Sequence, residues 1–148
     1  MKNPNNPRML WIGLNRITGS YTWSDGSKSK FVNWNPGEPN YNHANEDCVH
    51  LWFGGEWNDN NCHMSAGFIC KMSKTNACGK SGKWTYYNSK CYMFSKSSLN
   101  ETDAADSCVR QGGSLTSVKS REEHNFLVSQ VSKYAPIDFW IGSHEKFK

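Results

Sequence analysis

Six cysteines, at positions 48, 62, 70, 78, 91 and 108, constrain this chain more than any other feature. No two of them have the C-x-x-C spacing of a zinc site. An even number in a loop-rich sequence points to disulfides and an oxidising compartment. Six cysteines can pair in 15 ways, and their spacing alone leaves the choice open. The 148 residues leave room for one domain. Only 24 of them are Leu, Ile, Val or Phe, a poverty that suggests disorder when the net charge is high. Here the charge is only +4, and 7 Trp and 6 Tyr supply large buried areas, so the expected core is folded and aromatic.

Composition also excludes several functions. No apolar run is long enough to span a bilayer, so no membrane insertion is expected. The opening Met1-Lys-Asn-Pro-Asn-Asn-Pro lacks the apolar stretch of a signal peptide, and a secreted-type chain without one reads as a fragment. The densest basic stretch, Lys71, Lys74, Lys80, Lys83 and Lys90, has no basic–aromatic binding motif beside it. It reads as a solvated linker face, with no nucleic-acid partner.

Residues 10–36 alternate short apolar stretches (Leu10-Trp-Ile-Gly-Leu, Tyr21-Thr-Trp, Phe31-Val-Asn-Trp) with turn formers, which predicts strands and loops. From Asn35 to Cys62, Pro, Gly and seven Asn predict irregular backbone, and a loop that long requires a functional reason. Gly67-Phe-Ile-Cys70 reads as a closing strand and Lys71–Ala77 as a polar linker. Trp84-Thr-Tyr-Tyr and Cys91-Tyr-Met-Phe read as strands around an Asn88-Ser89 turn. Two helices follow. Asn100 caps the first, with Ala104, Ala105, Cys108 and Val109 inward and Gly112-Gly113 at its end. A Ser120/Glu123 capping box starts the second, which carries Phe126, Leu127, Val131 and Tyr134 and stops before Pro136. Leu10-Trp-Ile-Gly13 recurs as Phe139-Trp-Ile-Gly142, about one domain length later.

The chemistry is concentrated in the irregular stretch. Glu38-Pro39-Asn40, Glu46-Asp47-Cys48 and Trp57-Asn58-Asp59 bring carboxylates and amides together in loop-type chain. Calcium takes 6–8 such oxygens, whereas magnesium demands a stricter octahedron, so these residue types suit Ca2+. The bland alternative is that Asn and Asp merely cap turns.

These motifs resemble the C-type lectin-like domain in its long, calcium-dependent form. Residues 1–74 resemble its C-terminal half: Trp11-Ile-Gly-Leu, Trp23-Ser-Asp-Gly, Glu38-Pro-Asn, Glu46-Asp-Cys, Trp57-Asn-Asp, Cys62 and Phe68-Ile-Cys70. Residues 75–148 resemble its N-terminal half: Cys78, Trp84, Lys90-Cys-Tyr, Ala105-Asp-Ser-Cys108, Gly112-Gly-Ser-Leu115, Ser120-Arg-Glu-Glu and Phe139-Trp-Ile-Gly. The resemblance implies an α+β fold, with two helices flanking small antiparallel sheets and a long calcium-binding loop. It implies disulfides Cys48–Cys62, Cys70–Cys108 and Cys78–Cys91. It implies that Glu38, Asn40, Glu46, Asn58 and Asp59 hold one Ca2+ and also hydrogen-bond a sugar, and that Pro39 is cis. Glu-Pro-Asn resembles the mannose, fucose, glucose and N-acetylglucosamine class, read through a vicinal equatorial hydroxyl pair. Tyr41 and His43 stand where they can pack on a sugar ring, or are simply exposed loop residues. Trp34 and Trp57 are expected in the core.

Acids that support a second, auxiliary calcium are missing apart from Asp47, so a single calcium is expected. The halves stand in reversed order, as in a circular permutation or a window cut from tandem domains; the duplicated Trp-Ile-Gly favours the tandem cut. The chain then completes the fold with its own halves or swaps them in a homodimer. The resulting expectation is a non-enzymatic extracellular lectin, secreted or on a cell-surface ectodomain, with glycans or glycoproteins as partners. The alternative is a protein- or surface-binding module of the same fold with structural calcium. A hydrolase built on His43, His50, His63, His124 or His144 lacks any His-Glu-x-x-His or nucleophile-elbow motif. Asn100-Glu-Thr102 is a glycosylation sequon, but helix capping is sufficient reason for Asn there.

Overall fold

Strand β1 (Met9–Asn15) holds the centre of the fold, and its run Leu-Trp-Ile-Gly-Leu is buried almost throughout. The structure is a computed structural model, and it describes residues 9–40, 46–52, 54–73, 78 and 82–134. The further strands are β2 (Thr22–Trp23), β3 (Cys48–Trp52), β4 (Trp57–Asn60), β5 (Ala66–Met72), β6 (Thr85–Tyr87), β7 (Lys90–Leu99) and β8 (Ser114–Leu115). The helices are α1 (Glu101–Arg110) and α2 (Arg121–Tyr134). The sheet runs β4-β3-β1-β5-β7-β6, with β2 on β1 and β8 on β5.

This is α+β, yet the strands form one mixed eight-stranded network rather than small antiparallel sheets. The reason is β1 beside β5, a parallel pair with Leu10 opposite Gly67 and Trp11 opposite Phe68. Parallel neighbours need a crossover, and residues 16–65 provide it, carrying the β3–β4 hairpin on the way. The antiparallel β5–β7 pair, from Ala66↔Leu99 to Met72↔Cys91, brings strands of residues 1–74 and 75–148 into the same sheet.

Two aromatic-rich clusters fill the interior. Ile12, Trp23, Trp57, Ile69, Tyr92 and Leu127 lead one; Trp11, Phe68, Cys70, Ala104 and Cys108 lead the other. Trp11 is fully buried and satisfies its indole by donating Nε1–H to the Leu99 carbonyl at 3.0 Å. Gly13 is required where it stands, because a Cβ there would lie 2.7 Å from the Leu115 carbonyl oxygen. Disulfides join Cys48 to Cys62, Cys70 to Cys108 and Cys78 to Cys91, the same three pairs the resemblance implies.

Several local expectations are corrected. The stretch 35–62 is not irregular throughout: Cys48–Trp52 and Trp57–Asn60 pair as a hairpin, their buried residues stabilised by tertiary packing that composition does not register. Phe31–Trp34 joins the sheet only through an isolated bridge from Trp34 to Trp57. Its rings are partly buried instead by packing edge-on against Trp57, with centroids 5.8 Å (Phe31) and 6.0 Å (Trp34) away. Lys71 belongs to β5 and is buried, not part of a solvated linker.

Asn100 caps α1 as expected, its Oδ1 accepting from the Asp103 N–H at 2.8 Å, but Val109 faces solvent at 64% exposure. The Ser120 hydroxyl accepts from the Glu123 N–H, while the Glu123 carboxylate does not return the bond to Ser120; it accepts from the Lys119 N–H at 2.8 Å and turns inward. Leu127 and Val131 are core residues and Phe126 packs against them. The Tyr134 side chain and the repeat at 139–142 lie outside the described residues.

Candidate functional site

The acid–amide residues converge at one end of the β3–β4 hairpin. The Glu38 N–H donates to the Asn35 carbonyl at 2.8 Å, a turn in which Gly37 takes φ +89°. The Glu38–Pro39 peptide is cis. The Asn40 amide donates from Nδ2 to Glu38 Oε2 at 3.1 Å, and the Asn40 N–H donates to Asp59 Oδ1 at 3.3 Å. Asn58 and Asp59 are fixed by hairpin register, opposite His50 and Val49 respectively. Asp59 is fully buried and Glu46 nearly so, at 7% exposure. The structure thus brings Glu38, Asn40 and Asp59 into direct contact. Asn58 precedes Asp59 on the same strand, and the Glu46 charge acts on Glu38.

The electrostatics of this cluster are unbalanced. Desolvation first, then the Asp59 carboxylate and the more distant Glu46, hold the Glu38 carboxyl above the ordinary carboxylate range. Glu38 Oε1 and Asn58 Oδ1 are buried oxygens without a hydrogen-bond partner. Buried acceptors of this kind are costly unless something donates to them or coordinates them. Among the described residues no three His, Cys, Asp or Glu side chains form a metal-holding cluster on their own. The donor set here mixes acids with amides, which is the chemistry of a hard cation with oxygen ligands.

Tyr41 and His43 lie outside the described residues. Asp47 pairs with Arg16 Nε at 3.1 Å. Trp57 is fully buried and Trp34 packs against the same core. His50 is fully buried between Trp11 and Trp52, and burial holds its imidazole down at about 4. The His124 Nε2 lies 2.7 Å from the Gly55 carbonyl, so this ring braces the hairpin turn. His63 is exposed, and His43 and His144 lie outside the described residues.

Sequence reasoning missed three residues beside this cluster. A cavity of about 420 Å3 is lined by Asn35, Glu38, Trp52, Glu56 and Asn58. The signal that finds Trp52 and Glu56 is period-2 spacing, since they stand two residues from His50 and Asn58 on paired strands.

The fold is thus a disulfide-bonded α+β domain with an acid–amide cluster at a hairpin end. The family described as Lectin C-type domain matches residues 1–72 and 97–148, and the chain belongs to it. That family is one of carbohydrate-binding lectins, generally without enzymatic activity. The chain is 33% identical over 146 residues to C-type mannose receptor 2 of Mus musculus, covering 90% of this chain and 10% of that protein. It therefore spans about a tenth of the length of that relative. It is 46% identical over 67 residues to a C-type lectin mannose-binding isoform of Oxyuranus scutellatus, covering 42% of each. Among solved structures, the cow C-type carbohydrate-recognition domain of CD23, determined in the presence of a GlcNAc2Man3 oligosaccharide, is 42% identical over 38% of this chain and 46% of that one, with a TM-score of 0.35.

Proposed function

We propose that this chain is a calcium-dependent lectin for sugars of the mannose, fucose, glucose and N-acetylglucosamine class, acting outside the cell. The observation that carries the reading is the pair of buried, unpartnered oxygens, Glu38 Oε1 and Asn58 Oδ1, beside the converging carboxylates of Glu38, Asp59 and Glu46. Glu38, Asn40, Glu46, Asn58 and Asp59 would hold the ion. Calcium, when bound, supplies coordination positions that two vicinal hydroxyls can fill. The chain's own residues then read the sugar: carboxylates accept from the hydroxyl protons, and amide N–H groups donate to the hydroxyl oxygens. This alternation of acceptor and donor fixes the geometry of an equatorial pair. The similarity to a mannose receptor and to a mannose-binding lectin supports that class.

A single calcium is proposed, because Asp47, the one auxiliary-site acid present, is engaged by Arg16. Tyr41 and His43 are proposed to line the sugar. The two halves are proposed to be a permuted or tandem-derived domain completed within one chain.

A glycan panel probed in calcium and again in EGTA tests the function. Mannose- or fucose-type binding that disappears in EGTA is expected. Binding that survives EGTA defeats the mechanism. Absence of any sugar binding, with calcium still stabilising the fold, promotes the protein- or surface-binding alternative.

A further inference from the structure

Resting only on the extracellular part of that reading, we propose that Asn100 carries an N-linked glycan, and that its one side chain both caps α1 and bears the sugar. The sequence offers a single acceptor: of 16 Asn residues, only Asn100 stands in an Asn-x-Ser/Thr triplet, Asn100-Glu-Thr102, with no proline between. The three disulfides fit a chain that matures in the oxidising compartment where such glycans are added. Helix capping explains Asn100 but not Thr102. Thr102 is the second residue of α1; it is exposed, and its hydroxyl makes no hydrogen bond to any described residue. A β-branched residue is a middling helix former, so local stability gives no reason for Thr there. The glycosylation triplet needs a hydroxyl at that position.

Capping and glycosylation use different atoms of the same amide. The cap is made by Oδ1, which accepts from the Asp103 N–H at 2.8 Å. Nδ2 makes no hydrogen bond to any described residue and is not shut away from solvent. In the transfer, C1 of a lipid-pyrophosphate-linked oligosaccharide bonds to Nδ2 as its bond to the pyrophosphate oxygen breaks. The lipid pyrophosphate leaves with that electron pair, and Nδ2 gives up one of its two protons. Oδ1 keeps its lone pairs, so the cap survives. The folded chain also has room for the sugar. Asn100 is extended, at φ −70° and ψ 169°, on the corner where β7 ends and α1 begins. Ser97 and Ser98 before it and Thr102 and Asp103 after it are exposed. Glu101 is buried, and its N–H donates to the Cys62 carbonyl at 3.0 Å, which fixes the corner from within.

The test is to secrete the full chain from cultured animal cells and measure intact mass before and after peptide-N-glycosidase, for the wild type, Asn100→Asp, Thr102→Ala and Thr102→Ser. The wild type and Thr102→Ser are expected to carry one glycan, which the enzyme removes while converting Asn100 to aspartate. Asn100→Asp and Thr102→Ala are expected to carry none, and Asn100→Asp keeps the cap because Asp caps as well as Asn. A secreted wild type without a glycan, or a glycan still present on Asn100→Asp, overturns the proposal. Should a variant fail to be secreted, peptide mapping of the enzyme-treated wild type still decides, since the conversion marks position 100. The double role has its own readout in urea unfolding. The glycosylated wild type should match Asn100→Asp, with Asn100→Ala unfolding at lower urea. A glycosylated wild type as weak as Asn100→Ala would show that the sugar displaces the cap, and overturns the shared use of the side chain. None of these outcomes involves the calcium site, so failure here leaves the lectin reading to its own glycan panel.

Discussion

Lys71 Nζ on β5 lies 2.7 Å from Glu123 Oε2 on α2, with both side chains buried at 7% and 11% exposure. The same Nζ donates to the Ser117 carbonyl at 3.1 Å, and the Tyr92 hydroxyl donates to the same Glu123 oxygen. Burial pulls the Lys71 ammonium below its usual range, and Glu123 opposes that pull. This cluster ties the closing strand of the first half to the second helix of the other half. Removing one partner strands a buried charge, which typically costs about 3–5 kcal/mol. Glu123→Leu is therefore expected to lose about 3 kcal/mol or more in urea unfolding. The double variant Lys71→Met/Glu123→Leu should lose less than Glu123→Leu alone, because no charge is left buried. A double variant less stable than the single one would show that the ion pair is not the source of the loss.

His50 makes the fold sensitive to acid. Burial lowers its folded value from 6.5 to about 4, while the Asp59 charge pulls the other way. The unfolded chain therefore takes up the proton first, so this group's contribution is intact above about pH 6.5 and is lost as pH falls toward 4. The loss is on the order of 3 kcal/mol. Calcium-free urea midpoints at pH 7.5 and pH 5 should differ more for wild type than for His50→Leu. An equal midpoint difference in the two proteins would remove His50 from the account.

Calcium should stabilise the fold by mass action, by about 2.7 kcal/mol at a hundredfold excess over Kd. Thermal unfolding with calcium and with EGTA measures it. The increment should vanish in Glu38→Ala and in Asn58→Ala, which remove the two buried unpartnered oxygens. Titration should give one tight site per chain; two tight sites would contradict the pairing of Asp47 with Arg16.

Gly13→Ala should cost about 1–3 kcal/mol, because the added Cβ meets a backbone carbonyl that cannot swing aside, 2.7 Å away. Gly26→Ala provides the contrast. Its surroundings are open, and its penalty comes only from φ +81°. A larger loss at Gly26 than at Gly13 in denaturant unfolding would refute the close-approach argument.

The β5–β7 pairing is made here within one chain. Light scattering after gel filtration should accordingly give a monomer. A stable dimer would instead indicate that the two halves are exchanged between copies.

What the sequence determined by itself is local chemistry. The Asn100 cap with Asp103 three residues on and the positive-φ turn at Asn88-Ser89 depend on groups close along the chain, and each stands where the residues indicated. Tertiary structure decided what depends on distant partners. Lys71 looked like linker because its counter-charge lies 52 residues away, and a buried ammonium is tolerable only where such a partner exists. The β3–β4 hairpin was hidden by a loop-like composition because its strands are held by burial against Trp11 and Trp23, not by propensity. The face that puts Trp52 beside Asn58 exists only once the register is set, since a shift of one residue would turn every one of those side chains to the other side of the sheet.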